Sequence, residues 1–320
     1  MEQFEQLLVS NEIQYEANVE LRKKTWIHRG GTASFFVIPQ STKELTIVVT
    51  YLYNNKVPHL IMGSSSNIYI LNTTHIPVVV STLKCNQYKI KDSTIICECG
   101  VQVSKLAKQM IQTGICGFEY LTKLPGTVGA SIYNNSSCKN NSISNLLLDV
   151  EILTPDGVKI LTAEDLHFAF RTSDLKKKVT QGTILTARLK VEKGDPSELK
   201  ILSRNNEEER KLTLEGPAYN LGCTVHKPFC NGSMPNKYRI PSIIYSKIIS
   251  LFVHDGLKRK HLNKSFLLRI TGHKNLIPYI SDYLSLIFMW KDDDADSFFD
   301  EYLEFMREIY KTDKIEIEIV

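Results

Sequence analysis

Two short loops and a few scattered side chains are the residues of this chain whose types and spacing could do chemistry. The first loop, Gly63, Ser64, Ser65, Ser66 and Asn67, closes an apolar run from Leu60 to Met62. The second runs from Gly117 to Asn135 and centres on Pro125, Gly126, Thr127, Val128 and Gly129. Two glycines three positions apart let a backbone approach a ligand without Cβ interference. The N–H groups of such a turn form a concavity that suits anionic oxygens. Most Gly/Ser turns are only turns; it is the pair that suggests two loops gripping one phosphate-bearing cofactor. Arg171 stands in an apolar, aromatic stretch, Phe168 to Ser173, where an arginine needs a buried partner. Cys223 follows a glycine and precedes His226, Lys227 and Pro228, although a lone cysteine is most often structural. Glu316 and Glu318 alternate with isoleucines, which in a strand puts both on one face, toward a site or toward solvent.

The loop pair resembles the flavin-binding loops of the UDP-N-acetylenolpyruvoylglucosamine reductases, the FAD enzymes of peptidoglycan precursor synthesis. That family's first loop reads L-G-x-G-S-N, matched by Gly63, Ser66 and Asn67. Its second reads G-[IL]-P-G-T-V-G-G-A with a following asparagine, matched by Gly126, Thr127, Val128, Gly129 and Asn135. Ser65 and Ala130 replace family glycines, and both are the smallest replacements available. A G-G-x-A signature is matched by Gly30, Gly31 and Ala33. The resemblance implies FAD, reduced by NADPH, and reduction of an enolpyruvyl ether to a lactyl ether. It gives Arg171, in the place of F-x-Y-R-x-S, the role of supporting the substrate carboxylate as negative charge develops on it. Phe170 replaces that motif's tyrosine. It gives Cys223, against a family pattern G-[SC]-x-F-K-x-P, the role of proton donor. An ordinary thiol, with a pKa of about 8.5, is mostly protonated at neutral pH and able to donate. Val225 and His226 depart from this pattern. It gives Glu318, the second glutamate of a closing L-E-x-E-V strand, a role in assisting protonation.

The elements that must position these residues follow from periodicity. Residues 1–17 read as a helix and a connector, and 18–31 as an extended basic segment. A strand over 34–39, a helix opened by the capping box Ser41–Glu44 and a strand over 59–62 deliver the first loop in β-α-β order. Further strands fill 76–100, and an amphipathic helix over 104–113 stops at Gly114. A hairpin turns at Thr154–Gly157, a strand covers 183–191, and a helix capped by Asp195 runs from Pro196 to about Lys211. Residues 229–275 look less regular and carry a basic run with Lys258, Arg259, His261 and Lys264. Lys258, Arg259 and Lys264 are candidates for holding a substrate diphosphate, against the plainer reading of a solvated loop. A helix over 294–310 sets Phe298, Tyr302, Phe305 and Ile309 on one stripe, and 314–320 reads as an alternating strand.

Composition narrows the classes. At 320 residues, 42% hydrophobic and 23% charged, the chain is long enough for two or three globular domains. No apolar run reaches the length of a membrane span. The acidic, amphipathic start at Met1–Gln6 is unlike a signal peptide, and seven cysteines without a C-x-x-C pair fit free thiols in a reducing cytoplasm. A net charge of +4 is too mild to imply nucleic acid. No histidine pair has metal spacing, so no metal site is assigned.

The expected fold is α+β. The resemblance implies a two-lobed FAD-binding region of the PCMH/vanillyl-alcohol-oxidase type and a C-terminal α+β substrate domain. Its boundaries are 1–83 with a returning strand 311–320, then 84–211, then 212–310 for the substrate. The expected partner is a small nucleotide sugar, with no nucleic acid and no membrane, in a cytoplasmic monomer or weak oligomer. The alternatives are a diverged flavin oxidoreductase on another nucleotide sugar or enol ether, and a flavin-binding protein without turnover.

Overall fold

The computed structural model describes residues 1–138, 141–213, 215–216, 218–225, 234–283, 286–312 and 314–320. The His226–Pro228 turn lies outside them. The chain divides into two compact units: residues 1–65 with 71–208, and residues 66–70 with 209–320.

In the first unit, helix α1 (Glu2–Ser10) buries Phe4 and Leu8. Strand β1 (Gln14–Glu20) then runs antiparallel to β2 (Thr32–Ile38), so residues read as a connector form the sheet edge. Only Val19 of β1 is buried, which is why the segment carries no alternation in sequence. Helix α2 (Thr42–Asn54) starts where Ser41 Oγ accepts the Glu44 N–H, and it buries Leu45, Val48, Val49 and Leu52 along one face. Strand β3 (His59–Met62) leads to the first loop, β4 (Ile68–Tyr69) goes with the second unit, and β5 (His75–Ser81) closes a sheet of order β1-β2-β5-β3.

A second sheet follows within the same unit. Strands β6 (Tyr88–Lys91) and β7 (Thr94–Glu98) precede α3 (Val103–Gln112), which ends at Gly114 with φ +73°. After α4 (Val128–Tyr133) come the short β8 (Ser137–Cys138) and β9 (Asn141–Ser142). Strands β10 (Leu147–Thr154), β11 (Gly157–Thr162) and β12 (Thr183–Lys190) complete the order β11-β10-β12-β7-β6, antiparallel throughout. Both sheets feed one core, in which Val48 and Val80 join Cys97, Leu106, Val128 and Leu189. Helix α5 (Pro196–Thr213) is capped by Asp195, whose Oδ1 accepts the Ser197 and Glu198 N–H groups.

The second unit corrects the irregular reading of residues 229–275. Helices α6 (Asn236–Phe252) and α7 (Gly256–Ile270) occupy most of that stretch. Pro235 caps α6 from outside, but Pro241 stands inside it, and a proline interior to a helix is a strong sequence signal against one. Helix α8 (Ala295–Tyr310) buries Phe299, Tyr302, Phe305, Met306 and Ile309, while Phe298 is half-buried and stacks on Tyr279 at 4.8 Å. A cavity of about 580 Å³ lies where α6, α7 and α8 approach, and α6 has no fully buried residue. The last strand, β13 (Glu318–Ile319), pairs in parallel with β4.

Lys264 on α7 is committed to its own fold. Its Nζ donates to Ile277 O at 2.9 Å and Ile280 O at 2.7 Å and pairs with Asp282 at 2.5 Å. An ammonium has three N–H groups, so none is left for a diphosphate. Burial lowers the Lys264 pKa, opposed by Asp282. Burial pushes the Asp282 carboxyl up, but Lys264 and His261 together hold it below its usual value. A carboxylate held low stabilises the fold above its unfolded pKa of about 3.9 and loses that contribution as pH falls through the folded value. Lys264→Met leaves Asp282 with His261 alone and takes the donor from two carbonyls. Removing one partner of a buried pair costs about 3–5 kcal/mol; with Asp282 one-third exposed, about 2–3 kcal/mol is expected. Urea unfolding at neutral pH measures it, and an unchanged midpoint would show the pair to be dispensable.

Candidate functional site

Residues 63–65 of the first loop meet the second loop inside the first unit. A Cβ on Gly63 would lie 2.6 Å from Thr127 Oγ1, so the approach requires glycine there. Thr127 caps α4, its hydroxyl accepting the Ala130 N–H at 3.5 Å. Pro125 and Gly126 precede it, Gly126 at φ +115°. Ser65 has φ +51° and is buried, its Oγ accepting the Trp26 N–H at 2.8 Å. A left-handed position explains the family's glycine, and a serine tied to Trp26 holds the same turn. Gly31 is equally constrained: a Cβ there would sit 1.7 Å from Thr74 O.

Not every loop N–H faces a ligand. Val128 N–H donates to Val101 O at 2.9 Å and Gly129 N–H to Cys99 O at 2.8 Å. The expectation that this turn frees its N–H groups therefore fails at these two residues, whose contribution is shape. A Cβ on Gly129 would lie 2.9 Å from Cys99 Cβ. Burial drives the neighbouring Cys97 thiol up to about 12, leaving it an inert core residue.

Asn135 follows α4 with φ +44° and is buried. Its Nδ2 donates to Ala169 O at 2.8 Å, while its Oδ1 is buried with no hydrogen-bond partner among the described residues. Ala169 and Thr172 bracket Arg171 through reciprocal backbone hydrogen bonds, and Ser173 Oγ donates to Tyr133 O at 2.7 Å. Lys176 Nζ donates to Asn134 Oδ1 at 2.7 Å. The end of α4 thus carries both Asn135 and the Arg171 turn. Arg171 has φ +57°, is half-buried, and its guanidinium lies 5.8 Å from the exposed Phe170 ring. Arg171 is partly enclosed, its Nε buried while the neighbouring Phe170 is exposed.

The second unit gathers the remaining candidates. Glu318 N–H donates to Asn67 O at 2.8 Å, and Asn67 Nδ2 to Glu316 O at 3.2 Å. Glu316 N–H donates to Thr224 O at 2.9 Å, and Val225 bridges to Ile315, so Cys223 lies on the segment beside the last strand. Thr224 is fixed from its other side, its N–H donating to Leu286 O at 2.8 Å and its Oγ1 accepting from Phe288 N–H at 3.3 Å. Ser66, Asn67, Cys223 and Glu318 are therefore brought together, and Arg171 belongs to the first unit. The strict alternation expected for 314–320 breaks: Glu316 is 8% exposed and Ile317 4%. The strand changes partner between Val225 and β4, and the bend buries two consecutive side chains. Sequence analysis missed Trp26, Tyr133, Lys176 and Thr224, whose types carry no signal without the contacts they make.

These loops, with a mixed sheet backed by helices and an antiparallel sheet sharing its core, define an α+β FAD-binding fold of the PCMH type. Residues 33–162 match the model of an FAD-binding domain. The crystal structure of UDP-N-acetylenolpyruvylglucosamine reductase from Thermus caldophilus superposes with a TM-score of 0.68 over 96% of this chain and 99% of that one, at 18% identity. The UDP-N-acetylenolpyruvoylglucosamine reductase of Streptococcus uberis is 30% identical over 184 residues, 57% of this chain and 60% of that protein. That of Pediococcus pentosaceus is 24% identical over 279 residues, 86% and 88% of the two chains.

The residues present fit a flavin: a glycine-lined approach of two loops and a buried amide oxygen awaiting a donor. Asn135→Ala removes that oxygen and the left-handed preference of asparagine. FAD affinity, read by titrating apoprotein and following flavin fluorescence, should fall about tenfold, the worth of one buried hydrogen bond. Unchanged affinity would place Asn135 outside the cofactor site.

Proposed function

We propose that this protein is an FAD-dependent reductase that converts UDP-N-acetylenolpyruvoylglucosamine to UDP-N-acetylmuramate at the expense of NADPH, in peptidoglycan precursor synthesis. The observation that carries this reading is the position of Cys223 beside the Glu316–Glu318 segment through Thr224, in a chain whose first unit brings Gly63 against Thr127. Bound FAD supplies the hydride chemistry that no side chain can. Gly63, Ser64, Ser65, Gly126, Thr127 and Asn135 would hold it, with Pro125, Val128 and Gly129 shaping the loop and Ser66 and Asn67 continuing it into β4.

The roles of the side chains follow from the charge that the reaction creates. Reduction of the enolpyruvyl double bond builds negative charge on the substrate carboxylate. A permanent cation lowers the cost of that charge, and Arg171, fixed in a left-handed turn with its side chain half-open, is the cation assigned to it. The carbon next to the carboxylate must then receive a proton. Cys223 Sγ–H is assigned as donor, held by the backbone bonds of Thr224. Glu318 is assigned to assist that protonation. A nucleotide-sugar substrate and a location in the cytoplasm agree with the family, and no helix among the described residues is long and apolar enough to cross a membrane.

Purified protein should be yellow, bleach with NADPH and recover its colour on addition of the enolpyruvyl sugar nucleotide. A flavin that bleaches but is not re-oxidised would indicate a different enol ether as substrate. A flavin that never bleaches would indicate binding without turnover. Cys223→Ala should slow re-oxidation by about 10²–10⁴-fold while sparing reduction by NADPH, because only the second half-reaction needs a proton from the protein. Cys223→Ser should restore much of the rate. Equal slowing of both halves would mean a disturbed flavin site instead.

A further inference from the structure

We propose that the α6–α7 hairpin of the second unit is a docking surface for anionic lipid bilayers. Between Asn236 and Ile270 the chain carries eight lysines and arginines against a single acid, Asp255. Asp255 is spent locally, its Oδ1 accepting the Lys258 N–H at 2.7 Å as the cap of α7. Among the described residues Lys264 pairs with Asp282, while Lys237, Lys247, Lys258 and Lys260 are exposed.

The apolar residues of α6 lie on the wrong side for a core. At 100° per residue, Ile240, Ile244, Ile248 and Leu251 fall within an arc of about 80°, and Lys237 and Lys247 share or border that arc. The opposite side carries the half-buried Tyr238, Tyr245 and Ile249, and Tyr245 stacks on Phe266 of α7 at 4.0 Å. The inner side is therefore anchored and the apolar stripe faces outward. Exposure rises toward the tip of the hairpin, from 50% at Ile248 to 72% at Leu251 and 77% at Phe252. Leu257, also exposed, and the basic run 258–260 follow at once.

This mixture selects a bilayer over a second copy of the chain or another protein. Protein interface cores are depleted of lysine, and two copies of this hairpin would bring like charges together. At a membrane surface the same residues are complementary. Apolar side chains enter the boundary between headgroups and acyl chains, lysines extend their stems over apolar surface with the ammonium in water, and a phosphate-rich leaflet attracts the cations. The contact is peripheral, consistent with the absence of a spanning helix among the described residues.

The test is co-sedimentation of the full-length protein with phosphatidylcholine vesicles, with and without phosphatidylglycerol. Binding should be at least about tenfold tighter with the anionic lipid and weaken as salt rises. Leu251→Glu combined with Phe252→Glu should abolish it, as should Lys258→Glu combined with Lys260→Glu. All four side chains are exposed, and unchanged circular dichroism confirms intact folding of the variants. The proposal is overturned if the protein ignores anionic vesicles or if the Leu251/Phe252 variant binds them normally. It is also overturned if light scattering shows a dimer that this variant splits, since the stripe would then be an interface between copies.

Discussion

Asn67 is the residue through which the returning strand finds its place. Its carbonyl takes the Glu318 N–H and its side-chain amide takes the Glu316 carbonyl, so one residue reads two alternate positions of the returning strand. That recognition sets the parallel register of β13 on β4, with Glu318 opposite Ile68 and Ile319 opposite Tyr69. The strand in turn binds Thr224 and aligns Cys223. A five-residue segment, Ser66–Ile70, thus belongs by contact to the second unit while its neighbours in sequence belong to the first. Tyr69 completes the attachment, lying 5.1 Å from both Trp290 and Phe299 and donating its hydroxyl to Asp296 at 2.9 Å. An apolar anchor and a polar one fix the same two residues, which gives a two-residue strand a defined position.

What could be read from sequence divides along a physical line. Helices α2 and α3 each bury one face, the hairpin is set by its turn at Thr154–Gly157, and strand β12 is rich in apolar and β-branched residues. Local chemistry and tertiary packing agree there, and periodicity finds them. Strand β1, with one buried residue in seven, has no such pattern, and its pairing with β2 rests on backbone hydrogen bonds and the contact of Tyr15 with Phe35. Helix α6 inverts the usual rule, keeping Ile240, Ile244 and Ile248 outward around an internal proline, and reads as irregular for that reason. The end of the chain fails differently. Alternation is a property of a strand with one partner on each side, and residues 315–319 exchange Val225 for β4 midway.

The site was legible where function requires a backbone conformation and illegible where it requires a partner. Gly63, Thr127 and Asn135 announce themselves because few residues tolerate such approaches or positive φ angles. Ser173 and Thr224 do comparable positioning work with ordinary side chains and could only be found by their bonds to Tyr133 and Phe288. The inward N–H groups of Val128 and Gly129 mark the same boundary. A turn sequence predicts the bend of the chain, and only the surrounding carbonyls of Val101 and Cys99 decide which donors remain.

The two departures from the family's loop sequence bear on whether the site has decayed. Ser65 adopts the left-handed conformation that glycine would supply, and its hydroxyl holds that conformation by accepting from Trp26. Ala130 lies within α4, half-exposed, where a methyl group meets no steric objection and alanine favours the helix over glycine by about 1 kcal/mol. Both substitutions preserve the backbone path, one through a compensating hydrogen bond and the other through helix propensity. Neither opens the approach of Gly63 to Thr127, the contact a degenerating cradle would lose first. The unusual surface of this chain lies in the second unit instead, on helices α6 and α7. There the outward isoleucines and unpaired charge balance come without any disturbance of Thr224, Glu316 or Asn67. These helices present an outward apolar stripe while the backbone hydrogen bonds beside Cys223 and Glu318 tie the last strand to Thr224 and Asn67 within the same unit.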